Sequence, residues 1–385
     1  MMMDFVATLW NSGSFLLGYL VPFLFVLTIV VFVHELGHFL VARWCGVDVK
    51  VFSIGFGREL FGFDDKHGTR WRFALIPLGG YVKFSGDTDA ASAGPGSPEM
   101  DSMTPQQRER TFPAQSLGER SAIVAAGPIA NFLLAILIFG ATAYVFGKPV
   151  LAPRVDQVVA GSAAERGGLK PGDLVVSIDG RPIASFADMQ RVISTRPNEI
   201  LSVVVERAGA LVTLPVTPAL VEQASPVGKQ RIGVLGVQAS RQASDWTTRQ
   251  FGLAESAKLG VTETWFVVER TYDYLAKLVT GRESVDQLSG PIRIAQVSGL
   301  VAHNSGLLGL INLAAILSVS IGLMNLFPVP MLDGGHLMFY AIEALRGRPL
   351  SDRAQEIGFR LGLGLVLMLM LFVTFNDVLH VRSLL

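Results

Sequence analysis

Ile29-Val30-Val31-Phe32-Val33-His34-Glu35-Leu36-Gly37-His38-Phe39-Leu40 sets two histidines and a glutamate inside an otherwise apolar run. On a helix, side chains four apart share a face, with Cβ atoms about 5–6 Å apart. His34 and His38 can therefore converge on one metal ion. Glu35, one step round, reaches a water beside that ion, which is the chemistry of the His-Glu-x-x-His pattern. The pattern is short and also arises by chance in soluble chains. Here it interrupts a hydrophobic run long enough to cross a bilayer, where ionisable groups are costly and persist when paired or functional. The setting favours a metal site.

Half of the 385 residues are hydrophobic, and four apolar stretches fall near 21–42, 122–146, 308–327 and 359–375. Each is close to the ~20 residues that a bilayer-crossing helix needs. The first is too long for the core of a cleavable signal and carries the metal motif, so it reads as a retained span. A net charge of zero argues against a polyanionic partner and predicts no nucleic-acid binding. The single cysteine, Cys45, excludes an internal disulfide and a cysteine-rich metal site, and reads as a small filler near a helix end. Arg43, Lys50, Arg58, Lys66, Arg70, Arg72 and Lys83 follow the first span, and Arg346, Arg348 and Arg353 follow the third. Short basic loops stay cytoplasmic, whereas long connections translocate whatever their charge. Both termini and a folded domain between spans two and three are thus expected outside.

Residues 1–146 form the first membrane part. After the first span, 46–84 reads as a strand at 47–57 and a strand pair at 70–77 and 78–84, with Pro77 and Gly79-Gly80 marking a bend. A β sheet that dips into the membrane, shielded by protein, is expected here. The stretch 86–115 is rich in Asp, Ser, Gly and Pro and reads as a mobile loop. Gly127-Pro128-Ile129-Ala130-Asn131 in the second span reads as a helix-packing surface, with Asn131 stitching helices together. From 150 to 240 the composition turns soluble: 161–180 reads as a short capped helix, a Pro-Gly turn and a strand, 186–193 as a second short helix, and a hairpin crosses Ala208-Gly209. Residues 246–290 carry Trp265, Phe266 and Tyr272 among charges. That pattern fits an amphipathic helix, either at the membrane interface or packed on the outer domain. Residues 291–385 form the second membrane part.

A catalytic zinc takes three protein ligands and an open position. Asp333 is the expected third, in Asn325-Leu326-Phe327-Pro328-Val329-Pro330-Met331-Leu332-Asp333-Gly334-Gly335-His336. This segment follows the third span and so returns to the membrane face where His34 and His38 end. Two prolines interrupt the helix, and the glycines permit tight backbone beside the ion. His336 is the competitor, read as a neighbour, and Asn325 is read as binding substrate or a developing oxyanion. Two histidines and a carboxylate suit zinc.

His34-Glu35-Leu36-Gly37-His38, Gly127-Pro128-Ile129-Ala130-Asn131-Phe132, Ser289-Gly290-Pro291-Ile292 and the 325–335 segment occur here in the order seen in site-2 proteases, and the chain resembles the RseP group of that family. The run Gly161-Ser162-Ala163-Ala164-Glu165 with Gly168-Leu169-Lys170-Pro171-Gly172-Asp173 resembles a circularly permuted PDZ domain. The resemblance implies a multi-pass α-helical protein of the bacterial inner membrane, with four transmembrane helices, a membrane-associated β sheet and an inserted extracytoplasmic α+β PDZ domain. It implies a zinc enzyme, with Glu35 as base and an active site near the cytoplasmic side, cutting transmembrane segments of single-pass proteins such as anti-sigma factors or remnant signal peptides. Gly79, Gly80 and Tyr81 would hold the substrate extended, and the PDZ domain would take a peptide ligand. The chain departs from some members in showing one clear PDZ copy; 231–237 reads as completing it or as a remnant of a second. The rival readings are a membrane-anchored peptide-binding scaffold with an inert metal site, and a metal transporter.

Overall fold

The computed structural model describes residues 2–86, 102–225, 228–239, 245–280 and 290–384. They fall into two compact units, one from 1–141 with 253–385 and one from 142–252.

Among the described residues four helices are long and apolar enough to cross a membrane, at Leu17–Trp44, Leu117–Phe146, Pro291–Asn325 and Arg353–Val378. Helices suit that role because every backbone polar group is satisfied within the segment. The first lies in α1 (Met2–Trp44). Beyond it, β1 (Val49–Asp64) pairs with β2 (Arg70–Phe84). Phe52 meets both Val82 and Trp71, Ser53 both Tyr81 and Arg72, and Ile54 both Gly80 and Phe73. The start of β1 is thus flanked on both sides by parts of β2, and 80–84 is left as an outer strand. Phe52 stacks on Trp71 with centroids 4.2 Å apart and joins Phe39, Val82, Phe84, Phe112 and Ile123 in a buried cluster. That cluster fixes the sheet to the end of α1 that bears the histidines.

The loop expected at 86–115 is corrected where it is described; 87–101 lies outside the described residues. Thr104 and Gln107 form a reciprocal capping box on α2 (Pro105–Glu109). Phe112 opens a 3-10 turn (Phe112–Ala114), is buried, and stacks on Phe84 at 5.1 Å. Composition reads as loop here because a single aromatic, Phe112, does the anchoring.

α3 (Leu117–Phe146) is the second span. The second unit then contains β3 (Lys148–Leu151), β4 (Val155–Val158), α4 (Ala163–Arg166), β5 (Leu174–Ile178), β6 (Arg181–Pro182), α5 (Phe186–Ser194), β7 (Leu201–Arg207), β8 (Ala210–Val216), β9 (Ala219–Ser225), β10 (Gly228–Val234), β11 (Val237–Ala239) and β12 (Trp246–Arg249). One sheet has the order β6-β5-β7-β8. The β7–β8 turn uses positive φ at Ala208 and Gly209, the twist that two-residue hairpins favour. Ile178, Met189, Leu201, Val203, Val205 and Leu235 share its core. β10 pairs with β9 and β11 with β4, and Leu235 and Val237 of the 231–237 stretch pack with the core of this unit. Trp246 to Arg249 pairs with β3 as a strand, correcting the expected helix there.

α6 (Leu253–Val279) packs on the spans, with Val267 and Val268 against the cluster of Ala135, Ile138 and Val319. α7 (Pro291–Asn325) breaks at Gly306 (φ 60°, ψ −152°), just before the expected start of the third span. α8 (Asp333–Arg346) and α9 (Asp352–Leu384) follow it, and α9 caps its N-terminus. Asp377 accepts from the backbone amides of Gly290, Ile292 and Arg293 at 3.0, 3.1 and 3.0 Å.

Candidate metal centre

His34 and His38 lie one turn apart on α1, both buried, with ring centroids 4.8 Å apart. α3 fixes each ring from behind. The Nδ1 of His38 donates to the carbonyl of Ile123 at 2.8 Å. A carbonyl only accepts, so that nitrogen carries the proton and Nε2 keeps its lone pair. The Nδ1 of His34 lies 3.3 Å from Asn131 Nδ2, while Asn131 Oδ1 is buried with no partner. The two ends of an amide have the same shape, and turning it gives the oxygen to a His34 Nδ1–H. Both Nε2 atoms are then free to face the same point. The Asn131 side chain therefore positions a ring of α1, while its backbone carbonyl accepts from Ser318 Oγ of α7 at 2.9 Å.

Gly127 sits where these rings meet α3. A Cβ there would overlap the His38 imidazole and lie 2.8 Å from His34 Cε1. On the other side, the chain leaves α7 through Pro328 and Pro330, with Met331 at φ 87°. Gly334 and Gly335 lie against the carbonyls of Leu326, Phe327 and Val329, contacts no larger residue allows. The turn delivers Asp333 as the first residue of α8. Its Oδ2 is 3.2 Å from His34 Nε2, and its Oδ1 is 3.6 Å from His38 Nε2. The two Nε2 atoms are 3.2 Å apart.

The donor atoms of His34, His38 and Asp333 all lie within 4.8 Å of one another. Lone pairs on two imidazoles and a carboxylate face each other here, and Asp333 Oδ2 is buried with no hydrogen-bond partner. A divalent cation relieves that repulsion, so the residues present fit a bound metal with N, N and O ligands.

A cleft of about 210 Å³ opens beside these atoms, lined also by Glu35, Gly80, Tyr81, Val82, Phe84, Phe112, Val124, Asn325, Met331, Leu332 and His336. The Val82 backbone hydrogen-bonds the Glu35 carboxyl. The strand comes this close because Gly80 has no side chain: a Cβ there would be 3.0 Å from Glu35 Cγ and 2.8 Å from the Ser53 carbonyl. Of the three residues expected to hold an extended chain, Gly80 and Tyr81 line the cleft. Gly79 does not, and packs instead on the Phe56 ring. Asn325 Nδ2 is 3.2 Å from His34 Nε2. His336 lines the cleft outside the donor cluster, its ring 5.3 Å from Phe359 and 6.5 Å from Tyr340. Sequence reasoning missed Phe112 and Met331. The signal for Phe112 was its being the only aromatic residue between 87 and 120.

Residues 22–369 match the model of peptidase family M50. The chain belongs to peptidase family M50. A Rhizobium meliloti (strain 1021) relative, which bears the provisional name of a zinc metalloprotease, is 51% identical over 364 residues, covering 94% of this chain and 97% of its own. An Agrobacterium fabrum relative with a provisional name of the same kind is 49% identical over 372 residues, covering 96% and 98%. The metalloprotease MmpA of Caulobacter vibrioides is 42% identical over 380 residues, covering 93% and 94%. An M50 peptidase with four membrane-length apolar helices is a membrane metalloprotease.

Proposed function

We propose that this M50 zinc metalloprotease hydrolyses peptide bonds within the transmembrane segments of single-pass membrane proteins, such as anti-sigma factors or remnant signal peptides. The observation that carries the reading is the meeting of His34, Glu35, His38 and Asp333 in one cleft at the ends of apolar helices. His34 and His38 through Nε2, and Asp333 through its carboxylate, would hold the zinc. When bound, zinc supplies Lewis acidity that polarises a scissile carbonyl and makes water a better acid.

The protein's own groups do the rest. A peptide bond in a helix is hidden, and its carbonyl is bonded to an amide four residues on. It must be unwound to react, and in lipid the freed backbone groups need partners at once. Residues 80–84, the outer strand of the sheet, offer them beside Glu35, with Gly80 and Tyr81 facing the cleft. Glu35 takes the proton of the attacking water and returns it to the leaving amine. Asn325, at the cleft wall, binds the substrate carbonyl as it gains charge. Phe84, Phe112 and Met331 give the cleft apolar walls suited to the side chains of a membrane segment.

The second unit is read as a periplasmic PDZ domain. A groove of about 400 Å³ between α5 and the 232–237 stretch, lined by Phe186, Met189 and Ile193, suits an extended peptide added alongside β10. Both chain termini are assigned to the same, periplasmic side of the bacterial inner membrane, and the metal centre to the cytoplasmic half.

The test is co-expression of single-pass membrane proteins with the wild type and with Glu35→Gln. The variant is expected to keep zinc and to lose turnover by about 10²–10⁴-fold, the usual worth of a general base. Undiminished cleavage by the variant would remove Glu35 from its role. Zinc-dependent cleavage confined to soluble loops would overturn the intramembrane assignment.

A further inference from the structure

The groups that orient the histidines and the group that completes the donor set come from different helices. α3 carries Ile123 and Asn131, which hold the rings, and α8 opens with Asp333. Away from the donor atoms an ion pair ties these helices. Arg120 Nη2 donates to Glu343 Oε1 at 2.7 Å, and Nη1 to Oε2 at 3.4 Å. Both side chains are mostly buried, 17% and 16% exposed. The guanidinium carbon lies 5.0 Å from the centroid of Tyr340. Tyr340 and Glu343 are three residues apart on α8 and share a face, so the planar head of Arg120 is gripped at two points.

Such a pair stabilises little relative to apolar packing, because two charges have been taken out of water; its better-attested use is to fix register. Register is what Asp333 needs. It follows an irregular turn with two prolines and a positive φ at Met331; the close contacts of Gly334 and Gly335 with that turn seat the first turn of α8 and leave its far end to be held elsewhere. A rotation of α8 by one residue swings its first side chain through about 100°. Leu337 and Tyr340 pack on the buried cluster around Phe52 and Ile123, but burial by itself has no angular preference. A bidentate pair ten residues further on, about 15 Å along the axis, has one.

We propose that Arg120 and Glu343 form a positioning clamp, which holds Asp333 at bonding distance from the ion that His34 and His38 share. The clamp rests on the metal-site reading, and it makes zinc affinity depend on a charge pair that touches neither metal nor substrate.

The test uses the full chain in detergent. Zinc retention is titrated with a competing chelator for the wild type, Glu343→Gln, Arg120→Lys and the reversed pair R120E/E343R, and thermal midpoints are taken for the metal-free forms. Each single variant is expected to bind zinc about 10–100-fold more weakly, as for other groups that orient ligands. Its metal-free midpoint should stay close to that of the metal-free wild type, and the reversed pair should recover affinity. Arg120→Lys keeps the charge and loses the fork, so it remains informative if Glu343→Gln does not fold. Wild-type affinity in a folded single variant overturns the clamp. So does a loss of zinc matched by an equal loss of metal-free stability, which would make the pair merely structural. A wild type that holds no zinc overturns the metal-site reading instead.

Discussion

At Gly127 there is no room for a methyl group. Helix propensity alone favours alanine over glycine by about 1 kcal/mol. Here a Cβ would occupy the space of the His38 ring, and the imidazoles cannot retreat without leaving the Ile123 carbonyl and Asn131. Sterics therefore win over propensity. Gly127→Ala is expected to leave α3 helical by circular dichroism while lowering zinc retention and turnover by about 10–100-fold, the range seen when ligand orientation is disturbed. Full zinc loading and normal turnover in that variant would mean the rings are not fixed by α3. Sequence spacing places Gly127 and Asn131 on one face of a helix, which was read as a packing face. It does not say which helix that face meets, and the partner turned out to be the motif itself.

At the scale of elements, regular segments were legible and irregular ones were not. The spans announce themselves by length and apolarity and the β region by alternation, although the expected pair 70–77 and 78–84 is one strand, β2. The polar stretch containing Phe112 and the strand at Trp246 did not, because each is held by a few distant contacts: Phe84 in one case, β3 in the other. The turn Pro171-Gly172-Asp173 is of the same kind. It reads as a simple connection, yet Asp173 is almost fully buried and accepts from the Arg207 guanidinium at 2.7 Å and the Lys170 amide at 2.8 Å. Burial by itself pushes that carboxyl up, but the bonds from Arg207 and Lys170 outweigh it and hold it below the usual carboxylate range. A carboxylate with a depressed folded value adds stability above its unfolded pKa of about 3.9, and that contribution disappears as pH falls through the folded value. The urea midpoint of the second unit should accordingly be flat from pH 7 to 5 in this respect and drop below about pH 4. Trp246, the only tryptophan in 142–252, reports it once the other four are replaced by phenylalanine. Asp173→Asn should lower the midpoint at pH 7 and flatten the acid limb. An acid limb as steep as the wild type's would assign it to other groups.

The whole molecule is divided unevenly by sequence and by space. The membrane unit joins 1–141 to 253–385, and its metal ligands His34 and Asp333 stand about 300 residues apart with the entire second unit between them. That pairing was legible because alternating spans lead both segments to be expected at one membrane face, so topology brings together what sequence separates. It also concentrates the energetic effect of the ion. A ligand that binds only the folded state stabilises by RT ln(1 + [L]/Kd), about 4 kcal/mol when free zinc is a thousandfold above its Kd. All of that falls on the unit that owns the ligands. The second unit has its own core around Val203 and Val205 and contributes none of the three donors. Chelation should thus lower the thermal midpoint of the membrane unit by several degrees and leave the Trp246-reported midpoint of the second unit in place. Readding zinc should restore the first, and Asp333→Ala should show the low midpoint with or without zinc. Equal shifts in both units would mean that they unfold as one, and no shift in either would mean that the three residues hold no ion in the folded chain.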